Sequence, residues 1–193
     1  MADAGRVIAG RAKGTRLAAP GPGTRPMGDR VKQTLFAILE PMLEGADVLD
    51  LFAGSGGGGI EALSRGAARA TFVEHDAGAA RVIHENLRRA GLEPAARVVR
   101  RDAIAWLTAA DGAAADGPYD LVLVDPPYAD TAALARALEL AGAHVRSGGW
   151  VVAKHFWRDA PPARAGLLAS ERERRFGETA LTLYRRTEEA TRA

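Results

Sequence analysis

The sequence predicts a doubly wound α/β fold in which a mostly parallel sheet of seven strands ends in a C-terminal antiparallel hairpin. Between residues 46 and 154, short apolar runs typical of buried strands alternate with amphipathic helical stretches. This alternation is typical of a parallel sheet with helices on both faces. After residue 154 the alternation stops, and two consecutive strand-like stretches predict the hairpin.

The individual elements follow from local periodicity and from capping residues. Apolar residues on one face predict a helix over residues 30–43, with Asp29 as its N-cap. Asp76 and Gly91 are placed to begin and end a second helix. Strands are predicted at 46–52, 69–74, 96–100, 119–125, 149–154, 167–175 and 179–185. Helices after the first are predicted at 57–66, 77–90, 103–110 and 131–141.

Composition excludes several classes of protein. The 193 residues suffice for one domain with a large core. There is no cysteine, which excludes disulfides, thiolate catalysis and cysteine-ligated metals, and the four histidines are scattered. No apolar run is long enough to span a membrane, and residues 1–10 lack the apolar core of a secretory signal. We therefore expect a cytoplasmic protein without a structural metal.

The first 25 residues are predicted to form a small basic β-hairpin appendage, punctuated by Gly10 and Gly14. The main domain would follow at 26–187, with a frayed terminus at 188–193. Residues 1–33 carry seven basic side chains and two acidic ones, which fits a polyanionic partner, with a solvated basic tail as the alternative. The candidate phosphate-binding residues are Arg6, Arg11, Lys13, Arg16, Arg25, Arg30 and Lys32.

A candidate nucleotide-binding turn follows the strand at 46–52. Gly54, Gly56 and Gly59 satisfy G-x-G-x-x-G, a weak signal alone, but a strand precedes them and a helix follows. Glu74 ends the next strand, and its carboxylate can accept from both hydroxyls of a ribose. Asp50 suits a positively charged ligand, whereas a dinucleotide site usually has uncharged residues there. The alternative is that both carboxylates only solubilise strand ends.

The second candidate site is the loop Asp125-Pro126-Pro127-Tyr128, which follows a buried apolar run. Two prolines cannot donate to a sheet, so the chain leaves as a stiff loop at the carboxyl end of a strand, where α/β sheets bind ligands. The Asp125 carboxylate and the Pro126 carbonyl can accept both hydrogens of an exocyclic amine, and the Tyr128 ring can stack on a base. An ordinary strand followed by a proline turn is the alternative.

Both motifs resemble those of class I S-adenosylmethionine (SAM) methyltransferases, which have a Rossmann-like fold. Asp-x-Phe-x-Gly-x-Gly, beginning at Asp50, is similar to their first motif. Asp-Pro-Pro-Tyr is similar to the loop of enzymes that methylate exocyclic or amide nitrogens. The whole chain resembles the RsmD family in its basic arm, Arg25-Pro-x-x-Asp-Arg-Val, Asp-Leu-Phe-Ala-Gly-Ser-Gly, residues 61–67, the Asp125 loop and Phe176-Gly-Glu-Thr-x-Leu.

The RsmD resemblance implies a monomeric, metal-free enzyme that uses SAM to methylate N2 of guanine 966 in 16S ribosomal RNA, within an assembling 30S subunit. It implies that Asp102 accepts from the adenine amine of SAM, with Ala103 beside the ring; a helix N-cap is the competing role for Asp102. The catalytic candidates are Asp125, Pro126, Pro127 and Tyr128. The cofactor candidates are Asp50, Phe52, Gly54, Ser55, Gly56, Gly59, Glu74, His75, Asp102, Ala103 and Asp125, although His75 suits a plain surface position too.

Other functions remain open at this point. A DNA adenine-N6 or protein-glutamine N-methyltransferase would share the loop and the cofactor, but usually carries Asn at the position of Asp125. A non-catalytic RNA-binding module would bind no SAM. An NAD-dependent oxidoreductase is disfavoured by Asp50 and by the two prolines. The chain departs from the family pattern at Met27, at Gly28 and in the glycine run at 56–59.

Overall fold

A computed structural model of the chain describes residues 3–21, 27–109 and 117–187. The chain divides into two compact units, Met1–Ala103 and Ile104–Ala193. The predicted boundary at residue 25 and the predicted frayed terminus both fall outside the described residues. A search of these described residues finds no helix with the length and hydropathy of a membrane span.

The first unit contains a two-stranded hairpin and three parallel strands. Its strands are β1 (Asp3–Arg6), β2 (Arg16–Ala18), β3 (Asp47–Leu51), β4 (Arg69–Glu74) and β5 (Ala96–Arg100). Its helices are α1 (Asp29–Leu39), α2 (Gly57–Ser64) and α3 (Ala77–Ala90). Strands β1 and β2 pair antiparallel, while β3, β4 and β5 lie in the order β5-β4-β3 and pair parallel. The carboxyl ends of β3 and β4 therefore meet at one edge.

The second unit is a mixed sheet. Its elements are α4 (Ala103–Thr108, at the boundary), β6 (Tyr119–Val124), α5 (Thr131–Ala141), β7 (Val145–Phe156), β8 (Arg164–Ala165), β9 (Leu168–Phe176) and β10 (Thr179–Arg186). The strand order is β6-β7-β10-β9-β8, with β6 and β7 parallel and the other neighbours antiparallel. The predicted C-terminal hairpin is confirmed as β9 and β10.

Two predicted N-caps, at the starts of α3 and α1, have different outcomes. The Asp76 carboxylate accepts from the Ala79 N–H, as predicted, and Gly91 ends α3 in the left-handed conformation with φ 67°. The prediction that Asp29 caps α1 is wrong, because Gly28 occupies the N-cap position and Asp29 lies in the first turn. There Asp29 pairs with Arg6 at 3.1 Å. A negative charge in the first turn also interacts favourably with the helix dipole and so stabilises the helix.

The loop between β1 and β2 is hydrogen-bonded to α2. The buried Glu61 carboxylate accepts from the backbone N–H groups of Ile8 and Ala9 at 2.8 and 3.1 Å. The buried Ser64 hydroxyl donates to the Ala9 carbonyl at 2.6 Å and accepts from the Ala12 N–H at 3.0 Å. Because buried polar groups are costly to leave without partners, these bonds hold the loop in place on the helix.

Gly10→Ala is expected to destabilise the protein more than Gly14→Ala. Both glycines have positive φ, 83° and 87°, so a side chain strains both backbones by about 1–2 kcal/mol. A Cβ at residue 10 would lie 1.8 Å from the Ser64 carbonyl oxygen, whereas nothing lies within 4 Å at residue 14. In urea unfolding we expect Gly10→Ala to lower the free energy of unfolding by about 1–3 kcal/mol more than Gly14→Ala does. Equal losses would contradict this packing.

Candidate functional site

The turn between β3 and α2 carries most of the cofactor candidates. Phe52, with φ 57°, is the one non-glycine residue with positive φ in the part of the chain that the structure describes. Gly54 and Gly56 follow with φ 55° and 76°. A left-handed non-glycine residue costs about 1–3 kcal/mol and is typical of functional loops. The turn is therefore tight and brings the start of α2 back to the carboxyl end of β3.

Asp50 stabilises this turn from within β3. Its side chain is buried, and Oδ2 accepts from the Gly59 N–H at 2.8 Å. This bond satisfies an N–H group of the first helical turn that has no partner within the helix. Gly59 packs so closely that a Cβ would lie 2.4 Å from Cε1 of Phe72. Asp50 thus shapes the turn and also places a negative charge at its base, which would stabilise a cationic ligand group.

Two backbone N–H groups orient the Glu74 carboxylate. Oε2 accepts from the Gly54 N–H at 2.9 Å, and Oε1 accepts from the Asp76 N–H at 2.8 Å. The residue is 6% exposed. Each carboxylate oxygen has two lone pairs, so each can also accept from a ligand hydroxyl. These two bonds therefore fix the orientation of the Glu74 carboxylate.

The other predicted cofactor residues differ in burial. His75 is exposed over 75% of its side chain, with Nδ1 3.1 Å from Oε1 of Glu74. Asp102 is exposed just after β5, and the buried Ala103 begins α4. The Ser55 carbonyl accepts from Nδ2 of Asn86, a buried side chain that also bonds both backbone groups of Ala18. Asn86 therefore ties this turn to β2.

In the second unit, Asp125 directly follows β6 and pairs with Lys154 of β7. The parallel register sets Val124 beside Ala153. The residues that follow these two, Asp125 and Lys154, therefore lie side by side. Nζ of Lys154 lies 2.6 Å from Oδ1 of Asp125, with 8% of the lysine and 26% of the aspartate side chain exposed. Burial raises the pKa of the Asp125 carboxyl, and the Lys154 ammonium opposes that rise. The sequence did not predict this partner.

Tyr128 is fixed at its hydroxyl and at its ring. The hydroxyl lies 2.7 Å from Oγ1 of Thr179. Nζ of Lys154 lies 5.0 Å from the ring centroid, within cation–π range, and the Phe156 ring is 6.4 Å away. The Pro127 carbonyl accepts from the Asp130 N–H at 2.9 Å and closes the loop. The loop therefore presents a carboxylate and an aromatic ring in one rigid arrangement.

Five of the seven basic candidates are exposed. Arg11, Lys13 and Arg30 are exposed, as are Arg6 and Arg16, which pair with Asp29 and Asp3. Such exposed pairs are worth about 0–1 kcal/mol and can exchange for phosphate. Arg25 lies outside the described residues.

The prediction that Lys32 contacts phosphate is wrong. Lys32 is 1% exposed, and its ammonium donates to the Arg6 carbonyl. Burial lowers the pKa of the Lys32 ammonium, against the raising effects of Glu61 and Asp29. Its helical position places it on the buried face of α1, which the charge count alone did not reveal. Lys32 therefore holds the N-terminal hairpin to α1 instead of meeting a ligand.

No group of three His, Asp or Glu side chains within the described residues is arranged to hold a metal ion. The turn after β3 presents the Asp50 and Glu74 carboxylates. The loop after β6 presents the Asp125 carboxylate, with the Lys154 ammonium and the Tyr128 ring beside it. Carboxylates accept hydrogen bonds from hydroxyls and amines.

Comparison with known proteins identifies relatives along nearly the whole chain. The family described as "Conserved hypothetical protein 95" matches residues 5–185. YlbH of Bacillus subtilis (strain 168) is 38% identical over 184 residues, which cover 94% of this chain and 98% of YlbH. The Escherichia coli (strain K12) protein named Ribosomal RNA small subunit methyltransferase D is 44% identical over 125 residues. That alignment covers 64% of this chain and 60% of the E. coli protein, less than two thirds of its length.

Solved structures have the predicted fold. The yhhF protein of Escherichia coli matches with a TM-score of 0.79 at 34% identity, over 95% of this chain and 98% of that one. An RNA methyltransferase from Salinibacter ruber, solved with S-adenosyl-L-homocysteine, matches with a TM-score of 0.64 over 87% of this chain and 97% of that one. At 16% identity the second likeness shows the fold alone. The predicted mixed α/β methyltransferase fold is confirmed.

Proposed function

Because the chain belongs to the RsmD family, described as Conserved hypothetical protein 95, we propose that it transfers a methyl group from SAM to ribosomal RNA. The name of the E. coli relative, Ribosomal RNA small subunit methyltransferase D, supports ribosomal RNA as the substrate. Two turns of the chain offer the groups that such a transfer needs. One suits a nucleoside with a cationic tail, and the other suits an amine on a flat ring.

The observation that carries the proposal is the fixed loop at Asp125. A carboxylate held 2.6 Å from Lys154 stands beside a tyrosine whose hydroxyl and ring both have partners. A carboxylate accepts hydrogen bonds from an amine, and a fixed aromatic ring stacks on a base at a gain of about 1–3 kcal/mol. The loop therefore suits a nucleobase amine.

Cofactor binding falls to the first unit in this proposal. Glu74 would accept from the two ribose hydroxyls, and Asp102 with Ala103 would contact the adenine. Asp50 would stabilise the positive charge of the amino acid tail or sulfonium through the turn at Gly54 and Gly56. When bound, SAM supplies a methyl group on a sulfonium, which is electrophilic without a metal.

Base selection and orientation fall to the second unit. An exocyclic amine on a purine is a weak nucleophile, because its lone pair is delocalised into the ring. Asp125 and the Pro126 carbonyl would accept its hydrogens and aim the nitrogen for in-line attack, and positioning of this kind supplies much of an enzyme's acceleration. In such a transfer the new C–N bond would form as the methyl C–S bond breaks, with the electron pair of that bond left on sulfur. One amine proton would pass to solvent water during or after transfer, which leaves the methylated amine neutral.

We further propose guanine N2 as the acceptor, at guanine 966 of 16S ribosomal RNA in an assembling 30S subunit. The family resemblance supports this target, and Asp in place of Asn at residue 125 supports guanine over adenine. The base must leave its stack to reach the loop. The exposed cations Arg6, Arg11, Lys13, Arg16 and Arg30, with Arg25, would add salt-dependent phosphate contacts. The setting is the cytoplasm, and the enzyme is a monomer.

A thermal-shift measurement with SAM tests the cofactor assignment. SAM at 100 times its dissociation constant should stabilise the folded protein by about 2.7 kcal/mol, because it binds only the folded state. Methyl transfer from labelled SAM should then be compared on 16S RNA, 30S particles, DNA and protein. Label on RNA or 30S particles supports the proposal. No shift with SAM indicates a non-catalytic RNA-binding module, and label on DNA or protein indicates another N-methyltransferase.

A further inference from the structure

We propose that Lys154 reads the O6 atom of the target base and thereby makes the site specific for guanine. The inference rests on the proposed function, since it concerns the base that Asp125 would hold. It assigns a substrate contact to a buried lysine that the sequence motifs do not include.

The hydrogen bonds of Lys154 are the first observation. An ammonium has three N–H donors. Asp125 is the one hydrogen-bond acceptor of Nζ within residues 3–21, 27–109 and 117–187, at 2.6 Å. The side chain is 8% exposed, and a buried donor without an acceptor is costly. Contact with the Tyr128 ring at 5.0 Å compensates only partly. A bound molecule with a hydrogen-bond acceptor beside Asp125 would give the Lys154 ammonium a second acceptor.

The order of groups on guanine matches this pair. Along its pairing edge, guanine presents the O6 acceptor, then the N1–H donor, then the N2 amine. A carboxylate can accept from N1–H through one oxygen and from the amine through the other. Oδ1 is the oxygen held by Lys154, so with Oδ1 on N1–H the ammonium falls beside O6. Each group of the edge then meets a complementary partner.

Adenine reverses this order. Beside its amine lies N1, an acceptor, whose lone pair would face a carboxylate oxygen. That contact is repulsive and leaves a buried charge without a donor, which is how hydrogen-bonding sites reject close analogues. The Lys154 ammonium favours the ionised form of the Asp125 carboxyl. It is this negative charge that makes the contact with adenine N1 repulsive. Asp125 and Lys154 together would therefore select guanine and exclude adenine.

The test replaces one atom of the base. RNA with 6-thioguanosine at the target position keeps N1–H and the N2 amine but offers sulfur, a weak acceptor, in place of O6. With the unaltered enzyme, single-turnover kcat/KM should fall by about 10–100-fold relative to guanosine, the range for a hydrogen bond to a charged group. In Lys154→Met, which keeps the apolar stem without donors, both RNAs should react at similar rates.

Comparing two substrates within one variant separates recognition from general damage. Lys154→Met also leaves Asp125 without its partner, so both rates fall, and only their ratio carries the inference. Arg146→Met is the matched control, because Arg146 is a second cation of β7 paired with an aspartate, Asp120. Arg146→Met should keep the full difference in rate between guanosine RNA and 6-thioguanosine RNA.

Two results would overturn the proposal. One is equal rates on both RNAs with the unaltered enzyme, and the other is discrimination that survives in Lys154→Met. Lys154→Gln, which keeps an uncharged donor, should retain part of the ratio, and a ratio equal to that of Lys154→Met would also count against a contact to O6. Failure of the proposed function looks different, because the unaltered enzyme would then methylate no guanosine RNA.

Discussion

Asp125→Ala is expected to reduce methyl transfer by at least about 10²-fold, because a misplaced amine loses the acceleration that orientation supplies. The carboxylate would orient the amine and accept its hydrogens, and Lys154 holds it in place at 2.6 Å. The candidate SAM-binding residues Asp50 and Glu74 are unchanged in this variant, so SAM affinity should change by no more than a few-fold. Single-turnover transfer to ribosomal RNA and calorimetry with SAM measure the two effects separately.

Asp159→Ala is the control for Asp125→Ala. Asp159 is an exposed carboxylate of the second unit, and its removal should leave the rate unchanged. Near-normal transfer by Asp125→Ala would refute its catalytic role. A large loss of SAM affinity in that variant would instead place the cofactor against Asp125 directly.

Glu74→Gln is expected to weaken SAM binding by about 10–100-fold, because a hydrogen bond to a charged group is worth about 1.5–3 kcal/mol. Gln keeps an acceptor for the Gly54 N–H but turns one oxygen into a donor, so only one ribose hydroxyl retains its acceptor. Calorimetry with SAM gives the affinity, and thermal unfolding without ligand checks the fold.

His75→Ala separates the neighbouring candidate from Glu74. The His75 side chain is 75% exposed, and its removal should change SAM affinity by less than about twofold if it is a plain surface residue. A loss as large as that of Glu74→Gln would restore His75 as a cofactor residue. Unchanged affinity in Glu74→Gln would move the ribose elsewhere.

Local patterns predicted most of the fold. The bounds of β4, α3, β5 and α5 agree with the predicted ranges 69–74, 77–90, 96–100 and 131–141. The bounds of these elements depend on local signals, namely the spacing of apolar residues and the capping residues. Asp76 and Gly91, which begin and end α3, are examples. The family's glycine turn and its Asp125 loop were also found in sequence, because each follows a buried strand.

What the sequence missed depends on long-range packing. Strand β7 begins at Val145 and not at the predicted residue 149, because β6 pairs with it across a register shift. The two-residue strand β8 forms only against β9. Lys32 was predicted to be a surface cation, but it is buried and donates to the Arg6 carbonyl of β1.

Lys154 shows the same limit within the candidate site. In the sequence it is one lysine at the end of an apolar run, and nothing nearby marks it. Its importance comes from the register of β6 against β7, which sets Val124 beside Ala153 and so Asp125 beside Lys154. A charged residue directly after an apolar run was the available signal. Strand pairing was needed to supply its partner.

Mass mapping of methylated nucleosides tests the central claim most directly. Small-subunit ribosomal RNA that lacks the modification would be incubated with the protein and isotopically labelled SAM, digested and mapped by fragment mass. We predict one N2-methylguanosine, at guanine 966, that is lost with Asp125→Ala. Label on adenine N6, on another position or on no nucleotide would contradict the account.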